Sequence, residues 1–339
     1  MRHLTPPSHP DLLVGNDTSD DAAVWRLSEG QLLVSSTDFF APIVDDARTW
    51  GRIAAANAAS DIYAMGARPL FALNLAAWPR EVLPLDLLGE VLAGGADAAA
   101  EGGWVVAGGH TIDGPEPLYG MAVTGISTPA ADGAGLLTNA GGQPGDALVL
   151  TKPLGTGLMA TALKRAAPDA VRPGGELHEI YRSGVGEMCR LNDRAAQVAL
   201  ASNASAATDI TGFGLLGHLA ELAAASGAGA AVDASAVPLL SGATRLAGDG
   251  FAPGGTQRNL DHLADRLDGG DALTRAVLGD PQTSGGLLFS LDARQAGEAV
   301  RELHDSGHAA AVIGELTGGA AGTIVIAGAL TGSNNASSS

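Results

Sequence analysis

The side chains in this sequence best placed to do chemistry are aspartates. Asn57 and Asp61 stand four positions apart in the stretch 51–66, GRIAAANAASDIYAMG. That spacing puts both on one face of a helix, while the rest of the stretch is Ala, Ile and Met, residues suited to a core. A carboxylate on such a face needs a partner. A divalent cation bound to phosphates is one reading, and a salt bridge or helix cap is the other. Asp20 and Asp21 are adjacent in a polar loop, where two carboxylates repel unless a cation lies beside them; a solvated acidic loop is the alternative. Asp38 ends the apolar run 31–37, so it is either a ligand contact at a strand end or the N-cap of the next helical segment. Asp209 precedes Ile210-Thr211-Gly212-Phe213-Gly214, glycines that open a helix. A helix N-terminus attracts phosphate and a neighbouring carboxylate can hold a metal, although turn chemistry with an N-cap explains the same residues.

Two glycine-rich motifs are more ambiguous. Gly108-Gly109-His110-Thr111 follows a short apolar run. Its glycines would let a phosphate approach the backbone, and His110 would contact that phosphate or simply pack. Asp280-Pro281-Gln282-Thr283-Ser284-Gly285-Gly286 reads as a turn into a strand. No GxxxxGKS/T loop, HExxH motif or zinc-spaced Cys/His cluster occurs. The lone Cys189 lies in a helical pattern, as a buried thiol rather than a nucleophile. Lys152 and Lys164 are the only lysines.

Strands and helices alternate throughout. A hairpin is expected over 22–37, a helix over 52–65, a strand over 69–77, a helix over 84–101, a buried strand over 104–107 and a strand over 119–126. After a Gly/Ala/Asn/Pro-rich connection at 128–144, the second half is expected to open with a strand at 146–151. It continues with one long helix over 176–201, a strand at 206–209, a helix at 215–226, a loop-rich stretch over 240–282 and a closing strand–helix–strand–strand set. The pattern is α/β, with α+β layers. We expect an N-terminal domain over residues 1–140, a C-terminal α/β domain over 141–328 and a disordered tail over 329–339.

The chain has 339 residues, 46% of them hydrophobic, enough for two ordinary cores. A net charge of −18 argues against a nucleic-acid groove or an anionic membrane surface. It is compatible with a nucleotide whose charge is offset by metal ions. One cysteine excludes an intrachain disulfide framework, and the expected location is the cytoplasm.

Taken together the motifs resemble the selenophosphate synthetase (selenide, water dikinase) family. They are Asp20-Asp21-Ala22-Ala23-Val24, TDFFAPIVD at 37–45, GRIAAANAASDIYAMG, AGGHTID at 107–113, LTKPLGTG at 150–157, TDITGFGLLGHL at 208–219, PGGTQRN at 253–259 and DPQTSGGLL at 280–288. The resemblance runs from about residue 12 to about residue 326. It implies the two-domain fold of the aminoimidazole ribonucleotide synthetase-like ATP-binding superfamily, which also includes thiamine monophosphate kinase and a hydrogenase maturation protein. In that fold the N-terminal halves pair in a homodimer that shares a β-barrel. It implies that ATP, selenide and water give selenophosphate, AMP and phosphate.

Carried over by motif, Asp21, Asp61 and Asp209 match magnesium ligands. Thr18, Ser19, Asp20, Asp38 and Asp61 match the ATP site, and Gly109, His110 and Thr111 match a segment that reaches ATP on the other subunit. Asn57 supports Asp61 or helps orient the site. Potassium is a second candidate cation. The family's catalytic Cys or selenocysteine and its essential Lys belong to a glycine-rich segment upstream of Leu12-Leu13-Val14-Gly15-Asn16, and the sequence begins too late to hold them. A selenocysteine codon read as a stop, moving the assigned start to Met1, is the expected cause, with truncation as the other. Two competing readings are a non-catalytic ATP-binding paralogue and another ATP-dependent enzyme of the same superfamily.

Overall fold

A computed structural model describes residues 9–15, 20–28, 30–127 and 136–330. Thr18, Ser19 and the tail over 331–339 lie outside the described residues. The first half holds β1 (Leu12–Val14), β2 (Ala23–Ser28), β3 (Gln31–Phe40), α1 (Ala47–Ala64), β4 (Arg68–Trp78), α2 (Leu85–Glu101), β5 (Val105–Asp113) and β6 (Leu118–Ser127). Its six strands form one sheet in the order β1-β2-β3-β6-β4-β5. The second half holds β7 (Asp146–Leu150), α3 (Thr156–Arg165), α4 (His178–Cys189), α5 (Asp193–Ala201), β8 (Ala206–Asp209), α6 (Gly214–Ala225) and β9 (Gly229–Asp233). It continues with α7 (Ala243–Gly248), α8 (Gly254–His262), β10 (Leu267–Gly269), α9 (Ala272–Leu278), β11 (Leu287–Asp292), α10 (Ala293–Asp305), β12 (Ala311–Thr317) and β13 (Ile324–Ala327). Its seven strands order as β10-β13-β9-β12-β7-β11-β8. The α/β layering expected from sequence is present. The first sheet is open among the described residues, with β1 and β5 at its edges.

Helix α1 is the centre of the molecule. Asp46 caps its N-terminus by accepting from the Thr49 N–H at 2.8 Å, and it ends where Gly66 takes a left-handed φ of 70°. Small residues let it sit close to its neighbours: a Cβ on Gly51 would lie 2.0 Å from the Val91 carbonyl oxygen of α2. One side of α1 faces β3 and β6, and another faces α4, α5 and β8 of the second half. Its core is therefore continuous with one face of the second sheet, where Val149, Leu287 and Phe289 are buried with Ile53 and Ile62. The opposite face of that sheet buries Leu148, Leu150 and Leu288 under α6.

Two expectations are corrected. The single helix over 176–201 is two, α4 and α5, broken at 190–192. There the Arg190 carbonyl turns to the Lys152 ammonium at 2.7 Å, and Asn192 donates to Ser60 and to the Gly285 carbonyl instead of facing solvent. The strand expected to be buried and to end before Gly108 runs on through Gly109, His110 and Thr111, and from Ala107 to Asp113 it is an exposed edge. Those glycines are strand residues, not a turn after a strand.

Candidate metal and nucleotide site

Helix α1 rises about 6 Å over four residues and a strand rises about 6.8 Å over two. Asn57 and Asp61 on α1 can therefore match Asp38 and Ser36 on the inner face of β3, the helix running opposite to the strand. That is the pairing observed: the Asn57 Nδ2 donates to Asp38, and the Ser36 hydroxyl donates to Asp61. Asn57 thus holds Asp38, not Asp61.

Asp21, just before β2, and Asp209, at the end of β8, complete the arrangement. One carboxylate oxygen from each of Asp21, Asp61 and Asp209 lies within 4.8 Å of the others. Thr208 donates to Asp21 at 2.9 Å, so the edge of the second sheet touches the first half here. Burial, followed by the charges of Asp209 and Asp61, pushes the Asp21 carboxyl well above the usual carboxylate range. Burial and Asp209 do the same to Asp61. Asp209 rises to about 6, chiefly through burial, with a Ser60 hydrogen bond opposing. Burial also raises Asp38, and its bond from Asn57 pulls it part of the way back.

Three carboxylates this close, Asp209 buried and Asp21 and Asp61 half-buried, repel one another, and a hard cation is the charge that relieves them. One oxygen of Asp21 and one of Asp209 are buried with no hydrogen-bond partner among the described residues. With one oxygen of each carboxylate within 4.8 Å of the others, the residues present fit a divalent ion. When bound, such an ion neutralises phosphate charge and polarises a phosphoryl group.

Beside Asp209, Gly212 and Phe213 are exposed ahead of α6, and their N–H groups donate to no group among the described residues. Asn259 holds the Gly212 carbonyl at 3.0 Å, and the buried His218 accepts from the Thr211 N–H at 3.2 Å. The loop is therefore fixed with its donors outward, as an anion site requires. Asp20, next to Asp21, accepts from the Asn139 N–H at 2.7 Å. Gly109, His110 and Thr111 lie on β5, three strands from β3, so at about 4.8 Å per strand they stand roughly 14 Å away within one subunit.

Sequence reasoning missed Ser36, Ser60, Thr208 and Ser284 as supports. The first three lie within two positions of the aspartates they serve or adjoin, and that proximity on β3, α1 and β8 was the available signal. Ser284 comes from a distant turn and gave none. Cys189 is half-buried with its thiol pushed up by burial, as a packing residue would be.

The family description "AIR synthase related protein, N-terminal domain" matches residues 19–127, and its C-terminal counterpart matches residues 143–327. A selenide, water dikinase of Myxococcus xanthus is 48% identical over 322 residues, covering 94% of this chain and 88% of that protein. One from Carboxydothermus hydrogenoformans is 44% identical, covering 94% and 90%. Among solved structures, thiamine-monophosphate kinase from Stenotrophomonas maltophilia superposes with a TM-score of 0.67 at 22% identity, covering 95% of this chain and 93% of that one; this shows a shared fold. With its two matched domains and these relatives, the chain belongs to the selenide, water dikinase family of AIR synthase related proteins.

Proposed function

We propose that this chain makes selenophosphate from selenide, ATP and water, releasing AMP and phosphate, with magnesium held by Asp21, Asp61 and Asp209. The observation that carries the reading is the convergence of these carboxylates, two of them with buried oxygens that have no partner among the described residues, at the junction of the two halves. Membership of the selenide, water dikinase family supplies the reaction. In this reading Asp38, fixed by Asn57, and the exposed donors of Gly212 and Phe213 orient the nucleotide. Asp209 is buried where α1 meets β8, and this burial strengthens the charge interactions it makes.

We also assign a homodimer. The outer face of the first sheet carries Phe39, Phe71, Leu73, Val105 and Ile112, each more than a third exposed. The register puts Phe39, Gly120, Leu75 and His110 in one row across that face. A second copy would cover this apolar surface, close the shared barrel and bring Gly109, His110 and Thr111 to the partner's nucleotide. Among the described residues no helix is long and apolar enough to cross a membrane, and we assign the chain to the cytoplasm.

The test is anaerobic turnover with magnesium and ATP by a form that carries the family's upstream Cys or selenocysteine and Lys segment. AMP should form in proportion to selenide and stop with EDTA. ATP binding without selenide-dependent AMP would favour the non-catalytic paralogue. Turnover of thiamine phosphate or an aminoimidazole precursor in place of selenide would favour another member of the superfamily.

A further inference from the structure

Lys152 is 1% exposed and makes no ion pair among the described residues. A buried ammonium is costly, and burial draws this one down to about 7. Its bonds show what it holds. Nζ donates to the Arg190 carbonyl at 2.7 Å and to the Ser284 carbonyl at 3.1 Å. Ser284 is a non-glycine residue with a left-handed φ of 48°, a conformation that needs support from its surroundings. The turn around it has little freedom to relax: a Cβ on Gly285 would meet the Ile210 carbonyl oxygen at 2.0 Å, and one on Gly286 the Lys152 backbone nitrogen at 2.5 Å.

On its other side, the Ser284 N–H donates to the Asn57 Oδ1 at 2.8 Å. This bond decides which end of the amide faces the site. With the oxygen committed to Ser284, the Asn57 NH2 must point to Asp38, as it does. Without it, the amide could turn and present an oxygen to a carboxylate.

We propose that Lys152 is a positioning residue for the nucleotide site: it fixes the Ser284 turn, and that turn orients Asn57 so that Asp38 is held in place. The inference rests on Asp38 being a nucleotide-site residue. The route crosses the molecule, from β7 through the turn before β11 to α1 and β3, so the second half sets a carboxylate of the first.

The test is calorimetric binding of a non-hydrolysable ATP analogue with magnesium to the full chain. Losing one charge-assisted hydrogen bond predicts roughly tenfold weaker binding for Asn57→Ala. Lys152→Met should lose a similar factor, and the double variant should be no weaker than the weaker single, because both act on one route. Multiplicative losses, or wild-type affinity in Lys152→Met, overturn the proposal. The former would mean that Lys152 acts elsewhere, for instance through its charge near Asp209. Wild-type affinity in Asp38→Ala would instead remove the nucleotide reading itself. Asp271→Ala, which removes the N-cap of α9, lowers the melting temperature without changing affinity and so separates destabilisation from positioning. Hydrogen exchange on the wild-type chain needs no variant to fold. The saturating analogue should slow exchange at Ser284, and Asn57→Ala should abolish the slowing; equal exchange with and without the analogue in the wild type overturns the proposal.

Discussion

Two glycine-rich turns in the second half each follow a strand and open a helix, and the structure uses them oppositely. Before α3, the turn is filled from within. Gln282 Oε1 accepts from the Gly155 N–H at 3.0 Å, the Thr156 N–H at 3.1 Å and the Thr156 hydroxyl at 3.0 Å. Asp280 Oδ2 accepts from the Gly157 N–H at 3.1 Å and the Leu158 N–H at 3.2 Å. The donors that a helix start leaves unpaired are all taken by the Asp280–Gln282 segment. Before α6, the Gly212 and Phe213 N–H groups face solvent beside Asp209, while the Gly214 N–H donates back to the Thr211 carbonyl at 3.0 Å. A carboxylate at a helix start is therefore a plug in one place and, in the proposed reading, a metal ligand in the other. What separates them is whether another part of the chain already fills the anion position.

The largest expected effect is at the open turn. Asp209→Asn removes a charge that a bound cation would use, worth several kcal/mol, so selenide-dependent AMP formation should fall roughly a thousandfold. The same change relieves repulsion among buried carboxylates, so the metal-free melting temperature should rise. A variant with normal turnover, or with a lower metal-free melting temperature, would erase the contrast. At the plugged turn the balance reverses. Gln282→Ala leaves buried donors of α3 unpaired and should cost about 2–4 kcal/mol in urea denaturation.

Asp280 sharpens the comparison through pH. Burial raises its carboxyl from 3.8 to about 7, against the N–H groups of Leu158 and Gly157, which pull it down. Between those values the folded chain keeps a proton that the unfolded chain has lost. Its contribution is complete below pH 4 and disappears as pH rises through 7. Asp280→Asn cannot titrate. Its stability relative to wild type should therefore improve from pH 4 to pH 7, by an amount on the order of a few kcal/mol; a difference independent of pH would mean that this carboxyl titrates normally. The smallest effects come from the glycines. A Cβ at Gly157 would lie 2.3 Å from the Pro281 carbonyl oxygen, so Gly157→Ala should cost about 1–3 kcal/mol. At Gly212 a Cβ meets nothing within 4 Å, and Gly212→Ala should stay within about 0.5 kcal/mol of wild type. Equal costs at both glycines would show that the two turns are packed alike.

Much of this was legible in the sequence. Helix α1 was readable from residue 52 on because Ala-rich composition and the Asn57–Asp61 spacing agree; its first turn, capped by Asp46 and not by Asp38, was not. Asp21, Asp61 and Asp209 were singled out by their motifs, and they do converge. The plug was not readable, because Asp280 and Gly157 are 123 positions apart and each motif alone looks like an ordinary turn. The break between α4 and α5 was hidden for the same reason: Asn192 is turned inward by Ser60, 132 positions away. The edge strand β5 was misjudged because Gly108 and Gly109 suggest a turn, whereas pairing to β4 from Phe71 to Trp78 keeps them extended.

The position of α1 between the two sheets has a consequence for how the protein is made. Asp38 and Asp61 leave the ribosome early, but the Ser284 N–H that orients Asn57 is encoded 227 residues after it. Asp209 and Thr208, which complete the carboxylate cluster, also come late. A nascent chain can fold its first sheet and still lack a nucleotide site. If ATP binds there as proposed, the complete site exists only once the second half has been made and has docked on the first.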